Sequence, residues 1–355
     1  MLSPIILNQQ CGDVYLHMSS PIVAGLLAYG MSGRVFHGPF LSTNPHFQFR
    51  AVVERHTKTA NERYPDVISY NSVAELLSDP QIELVVVNTP SYTHYELAKQ
   101  ALEAGKHVLI EKPAAASARE VTELFEIARA QQRHVMVYQN RRWDSDFLSV
   151  KQIVESGRLG ELIEVHFRFD RYRPVLSPKI FKESPEYAAS GLVYDLGPHL
   201  IDQTISLFGR PLSFNKVTSM HRDNAEVVDY FNFQLSYPKG LNVFLTSSLL
   251  VAEPLPSFVV HGTVGSYIKD RVDRQEPQLD EGVWPTDSVY GTEPAGCEGK
   301  LVTINENNEK ITELIPSSRG NYNHIFDAVY KTIREGALYP ITEEHVAWQL
   351  EMLEA

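Results

Sequence analysis

Asp195 and His199 stand four positions apart in Gly191-Leu-Val-Tyr-Asp-Leu-Gly-Pro-His199, so on a helix both side chains would lie on one face. A carboxylate beside an imidazole suits proton transfer, because histidine changes charge near neutral pH. Gly197 and Pro198 between them are tolerable in the first turn of a helix, where backbone N–H groups lack intrahelical partners. The expectation is therefore a helix running on to Phe208, with Asp195 as its N-cap and His199 in or near its first turn. There the positive dipole end would bias His199 toward the neutral, proton-accepting form. The same pair also fits a capping aspartate followed by a packed histidine. It fits a metal hydrolase less well, since no further histidine or carboxylate cluster has matching spacing.

Lys112 is the third candidate. It follows the apolar run Lys106-His-Val-Leu-Ile110 in Glu111-Lys112-Pro113, and the proline pushes it toward an extended backbone. A lysine at a strand end can bond a substrate hydroxyl and stabilise a developing alkoxide; a solvated surface lysine is the plainer reading.

These residues need a scaffold. Ile22-Val-Ala-Gly-Leu-Leu-Ala28 reads as a buried parallel strand, and Ala28-Tyr-Gly30-Met-Ser-Gly33 is a G-x-G-x-x-G turn with alanine in the first position. Gly30 would let the backbone approach a pyrophosphate and Gly33 would allow close helix packing. Phe49-Arg-Ala-Val-Val53 ends at Glu54, about 20 residues on, where such folds place an acid on the adenosine ribose. Arg55 and Lys58 could instead hold a 2′-phosphate. A phosphate about 4 Å from Glu54 would be repelled by roughly 4 kcal/mol at an effective dielectric of 20, so the direction of Glu54 decides between NAD and NADP. Further strands at Ile82–Asn88, 106–110 and His134–Tyr138 alternate with helices at Tyr92–Ala104 and Ser117–Gln131, and Ser72 would cap a short helix between Tyr70 and Leu77. The expected fold class is α/β: an N-terminal Rossmann parallel sheet, then a C-terminal α/β domain with an open, mostly antiparallel sheet. The strand ends form one rim, whose candidate cofactor contacts are Tyr29, Gly30, Met31, Ser32, Gly33, Glu54, Arg55, Asn88, Thr89, Pro90, His94, Glu111, Lys112 and Asn140.

Beyond Asp144 a helix is expected near Asp146–Ser156, then alternating segments at Leu162–Tyr172, Val217–His221, Val227–Tyr237, Leu241–Leu249 and Phe258–Lys269. A late hairpin surrounds Asn305–Lys310, helices close the chain at Tyr322–Glu335 and Thr342–Leu353, and Asp270–Gly299 reads as a surface excursion.

Composition narrows the classes. Of 355 residues 43% are hydrophobic and 21% charged, ordinary for a globular protein of about two domains. The net charge of −12 argues against nucleic-acid binding, and no apolar run is long enough to suggest a membrane span. Two cysteines, Cys11 and Cys297, form neither a metal set nor a disulfide framework, so a reducing, cytoplasmic location is expected. Residues 1–17 fit nothing downstream and read as a leader or extension before Met18, giving expected units of 18–140 for dinucleotide binding and 141–355 for substrate and oligomerisation.

Gly105-Lys-His-Val-Leu-Ile-Glu-Lys-Pro113 and Gly191-Leu-Val-Tyr-Asp-Leu-Gly-Pro-His-Leu-Ile-Asp202 resemble the two signature stretches of the Gfo/Idh/MocA oxidoreductases. Asn140-Arg-Arg-Trp-Asp-Ser-Asp-Phe-Leu148 and Phe169-Asp-Arg-Tyr-Arg-Pro174 are similar to the NADP-dependent scyllo-inositol dehydrogenase branch. The resemblance implies Lys112, Asp195 and His199 as the catalytic set, NADP or NAD as cofactor with NADP favoured, a cyclic polyol or sugar as small-molecule substrate, and a homodimer or homotetramer. Arg141, Trp143, Arg171, Tyr172 and Tyr322 are the candidate substrate wall, with structural packing or ion pairing the equal alternative for each; no metal, nucleic acid or membrane is implied. Because the family's fold also serves a transcriptional repressor that binds dinucleotide without turnover, a non-catalytic NAD(P)-binding sensor is the alternative.

Overall fold

A computed structural model describes residues 20–355; the leader expected at 1–17, Met18 and Cys11 lie outside the described residues. The first layer alternates as the sequence reading expects. Its elements are β1 Ile22–Leu26, α1 Gly38–Thr43, β2 Phe47–Val53, α2 Ala60–Arg63, β3 Ile68–Tyr70, α3 Val73–Ser78, β4 Leu84–Val87, α4 His94–Glu103, β5 His107–Glu111, α5 Ala118–Ala130 and β6 Val135–Tyr138. The six strands order as β3-β2-β1-β4-β5-β6, all parallel, so the order in which successive strands are added reverses between β1 and β4. Ligands in such sheets sit at that reversal, beyond the carboxyl ends of the strands. β4 is Leu-Val-Val-Val with every residue buried, as a strand covered by helices on both faces requires. Ser72 and Ser117 accept hydrogen bonds from the backbones of Glu75 and Glu120, each at 3.2 Å, capping α3 and α5. Such caps contribute about 1 kcal/mol apiece.

The second layer follows with α6 Ser145–Glu155, β7 Leu162–Arg168, α7 Ile180–Glu183, α8 Gly191–Phe208, β8 Ser213–Ser219, β9 Tyr230–Ser236, β10 Asn242–Ser248, β11 Phe258–Gly262, β12 Gly265–Lys269, α9 Gln275–Asp280, β13 Gly299–Ile304, β14 Lys310–Ile315, α10 Asn323–Glu335 and α11 Glu343–Glu354. Its eight strands order as β14-β13-β12-β11-β7-β10-β9-β8, antiparallel except for β7 beside β10. The helices α6 and α8 cover one face.

Three expectations change. The segment 258–269 is a hairpin rather than one strand, turning at Gly262-Thr263-Val264. The stretch 270–299 is not wholly at the surface: Gln275, Leu279 and Tyr290 are buried, and the Tyr290 hydroxyl donates to Gln275 Oε1 at 2.8 Å. Its polar composition hid this, because Gln275 satisfies its amide internally by also bonding the backbones of Trp143 and Tyr322. The helix bearing Asp195 and His199 starts at Gly191, not Asp195, and keeps Pro198 inside it. Ser190 is its N-cap, so Asp195 lies in the second turn and the terminal dipole does not act on His199 as expected.

The two layers are sewn together around that helix. Gln349 on α11 accepts from Gln139 Nε2, at the end of β6, at 3.0 Å and donates to the Pro198 carbonyl at 2.7 Å. Arg142 reaches both carboxylate oxygens of Asp202 on α8, at 2.7 and 2.8 Å. Both links are buried or nearly so, where paired groups hold a register firmly. α10 returns to the first sheet, stacking Phe326 on Phe40 with centroids 5.0 Å apart, and Arg334 bonds Glu83 at 2.8 Å.

Candidate active site

The turn after β1 is built for close approach. A Cβ on Gly33 would lie 2.5 Å from the Ala28 carbonyl oxygen, so only glycine fits, whereas one on Gly30 would meet nothing within 4 Å and face the open cleft. Alanine at the first glycine position is accommodated because Asn88 clasps its backbone. Asn88 Oδ1 accepts from the Ala28 N–H at 3.0 Å and Nδ2 donates to the Ala28 carbonyl at 2.8 Å. Glu111, at the end of β5, accepts from Ser32 Oγ at 2.7 Å and lies 2.9 Å from His37 Nε2. Burial alone would push its carboxyl up, but the His37 and Ser32 contacts and the Lys112 charge hold it below the usual range. His94 lies with Nδ1 2.7 Å from the Pro113 carbonyl and Nε2 2.8 Å from the Thr89 carbonyl, joining two rim loops.

A cleft of about 1000 Å³ opens above this rim. Gly30, Met31, Ser32, Asn88, Thr89, Pro90, His94, Glu111, Lys112 and Asn140 line it, with Arg141, Arg171, Asp195 and His199 across from them. Thus an ammonium from just beyond β5 and a carboxylate and imidazole from α8 meet in one space. Lys112 Nζ donates to the Asp195 carbonyl at 2.7 Å and stands 3.7 Å from Asp195 Oδ1. Lys182, on α7, donates to the same Oδ1 at 2.9 Å, and Arg171 Nη1 lies 3.9 Å from Oδ2. Burial would raise the Asp195 carboxyl, yet Lys112, Lys182 and Arg171 together hold it far below the ordinary range, so it stays ionised. Burial lowers Lys112 despite Asp195. Burial also pushes His199 well below its usual value, and Lys112, Arg141, Arg271 and Arg171 add to the shift. His199 is therefore neutral, for a different reason than its place on the helix. Its Nδ1 is buried and has no hydrogen-bond partner among the described residues.

Several expected contacts fall elsewhere. The Glu54 carboxylate, expected on a ribose, is spent within the protein: Oε1 accepts from the Thr59 and Ala60 backbones at 2.8 and 3.2 Å, and Oε2 accepts from Ser69 Oγ at 2.6 Å. Burial would raise it, but these bonds hold it low. Arg55 is exposed beside it. Tyr29 packs edge-on against Tyr64, 6.3 Å between centroids, and is not part of the cleft wall. Of the expected substrate wall, Arg141 and Arg171 line the cleft and three residues do not. Tyr322 is fully buried and its hydroxyl donates to Asp144 Oδ1 at 2.7 Å. Trp143 packs against the core, and Tyr172 is 62% exposed, because strand alternation turns it outward between Arg171 and Arg173. Lys182 and the segment 173–183 were missed by the sequence reading; the recurring basic residues at 171, 173, 179 and 182 were the available signal.

A dinucleotide fits this rim: Gly30 leaves its Cβ direction empty, Gly33 cannot carry a side chain, and the two strand-end loops at 88–90 and 111–113 flank the space. Among the described residues no group of three or more His, Cys, Asp or Glu could hold a metal ion, and no helix is long and apolar enough to cross a membrane.

Comparison with known proteins agrees with this geometry. Residues 22–139 match the oxidoreductase family with NAD-binding Rossmann fold, Gfo/Idh/MocA, and residues 147–268 match the Gfo/Idh/MocA C-terminal domain. The chain is 39% identical to the scyllo-inositol 2-dehydrogenase (NADP(+)) IolW of Bacillus subtilis, over 94% of this chain and 92% of that protein. It is 37% identical to the uncharacterized oxidoreductase YhhX of Escherichia coli, over 94% and 95%. Among solved structures, the oxidoreductase yvaA from Bacillus subtilis superposes with a TM-score of 0.89 at 38% identity, covering 94% of each chain. The chain belongs to the Gfo/Idh/MocA family of oxidoreductases and carries that family's NAD-binding Rossmann domain.

Proposed function

We propose that the protein is an NADP-dependent dehydrogenase that oxidises a secondary alcohol of a cyclic polyol or sugar, or reduces the matching ketone. The observation that supports this most is the meeting of Lys112, Asp195 and His199 in one cleft beside the glycine turn. Residues 18–140 hold the dinucleotide, chiefly through Gly30, Met31, Ser32, Asn88–Pro90, Glu111 and Asn140, and residues 141–355 supply the substrate side. When bound, the nicotinamide accepts or returns a hydride. His199 takes the hydroxyl proton, as a neutral imidazole free of protein hydrogen bonds can. Lys112 places an ammonium where alkoxide charge develops, and Asp195 fixes that ammonium and the neighbouring hydroxyl.

NADP is preferred over NAD because the Glu54 carboxylate is directed onto Thr59, Ala60 and Ser69 instead of offering an oxygen to a ribose hydroxyl, while Arg55 stands exposed beside it. The IolW relative, named for NADP, points the same way. A panel of polyols and sugars including scyllo-inositol and glucose, run with NADP and NAD in parallel and followed at the reduced-nicotinamide absorbance, tests the whole reading. Turnover with NADP at about tenfold or higher kcat/KM than NAD is expected, with Arg55→Ala reducing that ratio and the NADP affinity by roughly tenfold. Tight dinucleotide binding without oxidation or reduction of any member would favour the non-catalytic sensor.

A homodimer or homotetramer in the cytoplasm follows from family likeness, and the open face of the second sheet supports assembly. Ile163, Val217 and Leu314 on that sheet are 50%, 51% and 65% exposed. Sedimentation at micromolar concentration should show a dimer or tetramer that Ile163→Lys weakens; a monomer at all concentrations would exclude this.

A further inference from the structure

The strap Arg171–Glu183 crosses the substrate side of the cleft, and it is strongly basic. Its first part is pinned to the second sheet. The Arg171 and Arg173 N–H groups donate to the Ser248 and Leu249 carbonyls at 2.9 and 2.7 Å, and Val251 N–H donates back to Arg171. Strand alternation then sends Arg171 and Arg173 into the cleft together while Tyr172 faces solvent. Lys179 and Lys182 line the same space.

The carboxylates of the cleft are already matched. Asp195 has Lys182 at 2.9 Å, with Lys112 and Arg171 at 3.7 and 3.9 Å. Glu183 accepts from Arg222 at 2.7 Å and from the Ser177 backbone at 2.8 Å. Glu276 pairs with Arg141 at 2.5 Å, and Glu111 is held by Ser32 and His37. Against this, the side chains of Arg173 and Lys179 have no hydrogen-bond or ion-pair partner among the described residues. Arg171 has only the 3.9 Å approach to an aspartate already bonded to Lys182. In a chain of net charge −12, a surplus of cations gathered on one wall of a ligand cleft is a local exception that a neutral polyol would leave uncompensated.

We propose that the substrate is an anionic sugar or polyol derivative, bearing a carboxylate or phosphate ester that seats on Arg171, Arg173 and Lys179. This rests on the dehydrogenase reading above and narrows its substrate class. The strap is fixed to the β7–β10 side and to Asp195, the elements that carry the substrate machinery, rather than to the Gly30–Gly33 turn. Guanidinium groups two residues apart on one face suit the oxygens of such a group.

Three ligands that share a ring and differ at one carbon test this: glucose, glucuronate and glucose 6-phosphate, each with NADP or NADPH. One or both anions should exceed glucose in kcat/KM by about tenfold at low ionic strength, and the advantage should shrink in high salt as surface charge is screened. The double variant Arg173→Gln/Lys179→Gln should bring the ratio to within about threefold of one while NADP affinity stays unchanged. Glucose equal to both anions, a ratio untouched by the double variant, or a loss of NADP affinity in its place would overturn the proposal; the last would assign these cations to the cofactor. If no ligand turns over, the dehydrogenase reading fails separately, and calorimetry on the NADP-loaded protein still decides. Gluconate binding about tenfold tighter than glucitol, with the difference lost in the double variant, upholds the anion site; equal binding ends it.

Discussion

Replacing His199 with asparagine should lower kcat for alcohol oxidation by about 10²–10⁴ while NADP affinity changes less than about twofold. Asparagine keeps a polar side chain of similar reach but cannot accept the hydroxyl proton as hydride departs. In the native protein His199 makes no hydrogen bond to the described residues that would occupy it, and its Nδ1 is buried. Burial and four neighbouring cations depress its pKa well below the usual 6.5. The sign matters. A base works when unprotonated, so a lowered pKa extends activity toward acid. The acid limb of kcat/KM for oxidation should therefore lie well below pH 6.5 in the native enzyme, and it should disappear in His199→Asn. Turnover near the native level in the variant, or an acid limb unchanged by it, would remove His199 from the proton path. In the reverse direction the same environment makes the imidazolium a strong acid, ready to protonate an alkoxide as hydride arrives.

The Rossmann layer was legible because its signals are local and redundant. Buried parallel strands read as β-branched runs, Ser72 and Ser117 announce the helix starts, and glycines mark the turns. Motif resemblance pointed to Lys112, Asp195 and His199 as a set, and the fold brings the three into one cleft. What failed depended on which polar groups the fold brings together. Glu54 stands where a ribose acid belongs, but five and fifteen residues on, Thr59 and Ser69 take its carboxylate, and no spacing rule reveals that. Pro198 argued for a helix start at Asp195. The helix nonetheless runs through it, and distant side chains bond its backbone on either side: Lys112 the Asp195 carbonyl and Gln349 the Pro198 carbonyl, from 83 and 151 residues away. Tyr322 was open to either the substrate wall or structural packing, and contact with Phe36 and Phe40 and a bond to Asp144 put it in the core. Conversely, the buried Gln275 lay hidden in a stretch whose polarity suggested solvent. Local propensity and pattern are written in the chain; which polar group satisfies which is decided only by the tertiary fold.

Lys112→Met should be the second severe lesion, with kcat down by about 10²–10³, the scale of removing one oxyanion donor. Methionine has similar length and fills the same space, so the change isolates charge and hydrogen bonding. Two further consequences separate a catalytic ammonium from a merely structural one. Lys112 heads the charges that depress His199, after burial, so its loss should move the acid limb of the pH profile upward toward 6.5. Lys112 also heads the charges holding Asp195 ionised, but Lys182 at 2.9 Å remains, so Asp195 should stay charged and the cleft should not collapse. Lys112→Arg should restore part of the pH position of the limb without full turnover, because the planar guanidinium cannot occupy the same point 2.7 Å from the Asp195 carbonyl. Steady-state kinetics across pH, with dinucleotide affinity and thermal midpoint measured on the same preparations, separate these effects from misfolding. A Met variant that keeps its thermal midpoint, binds NADP normally and turns over within tenfold of the native enzyme would leave the ammonium a role in holding α8 alone. A large loss of turnover with an unmoved acid limb would mean that Lys112 acts on substrate without setting the proton affinity of His199. The combination of slow turnover and a raised limb is the result expected if both groups face one developing charge.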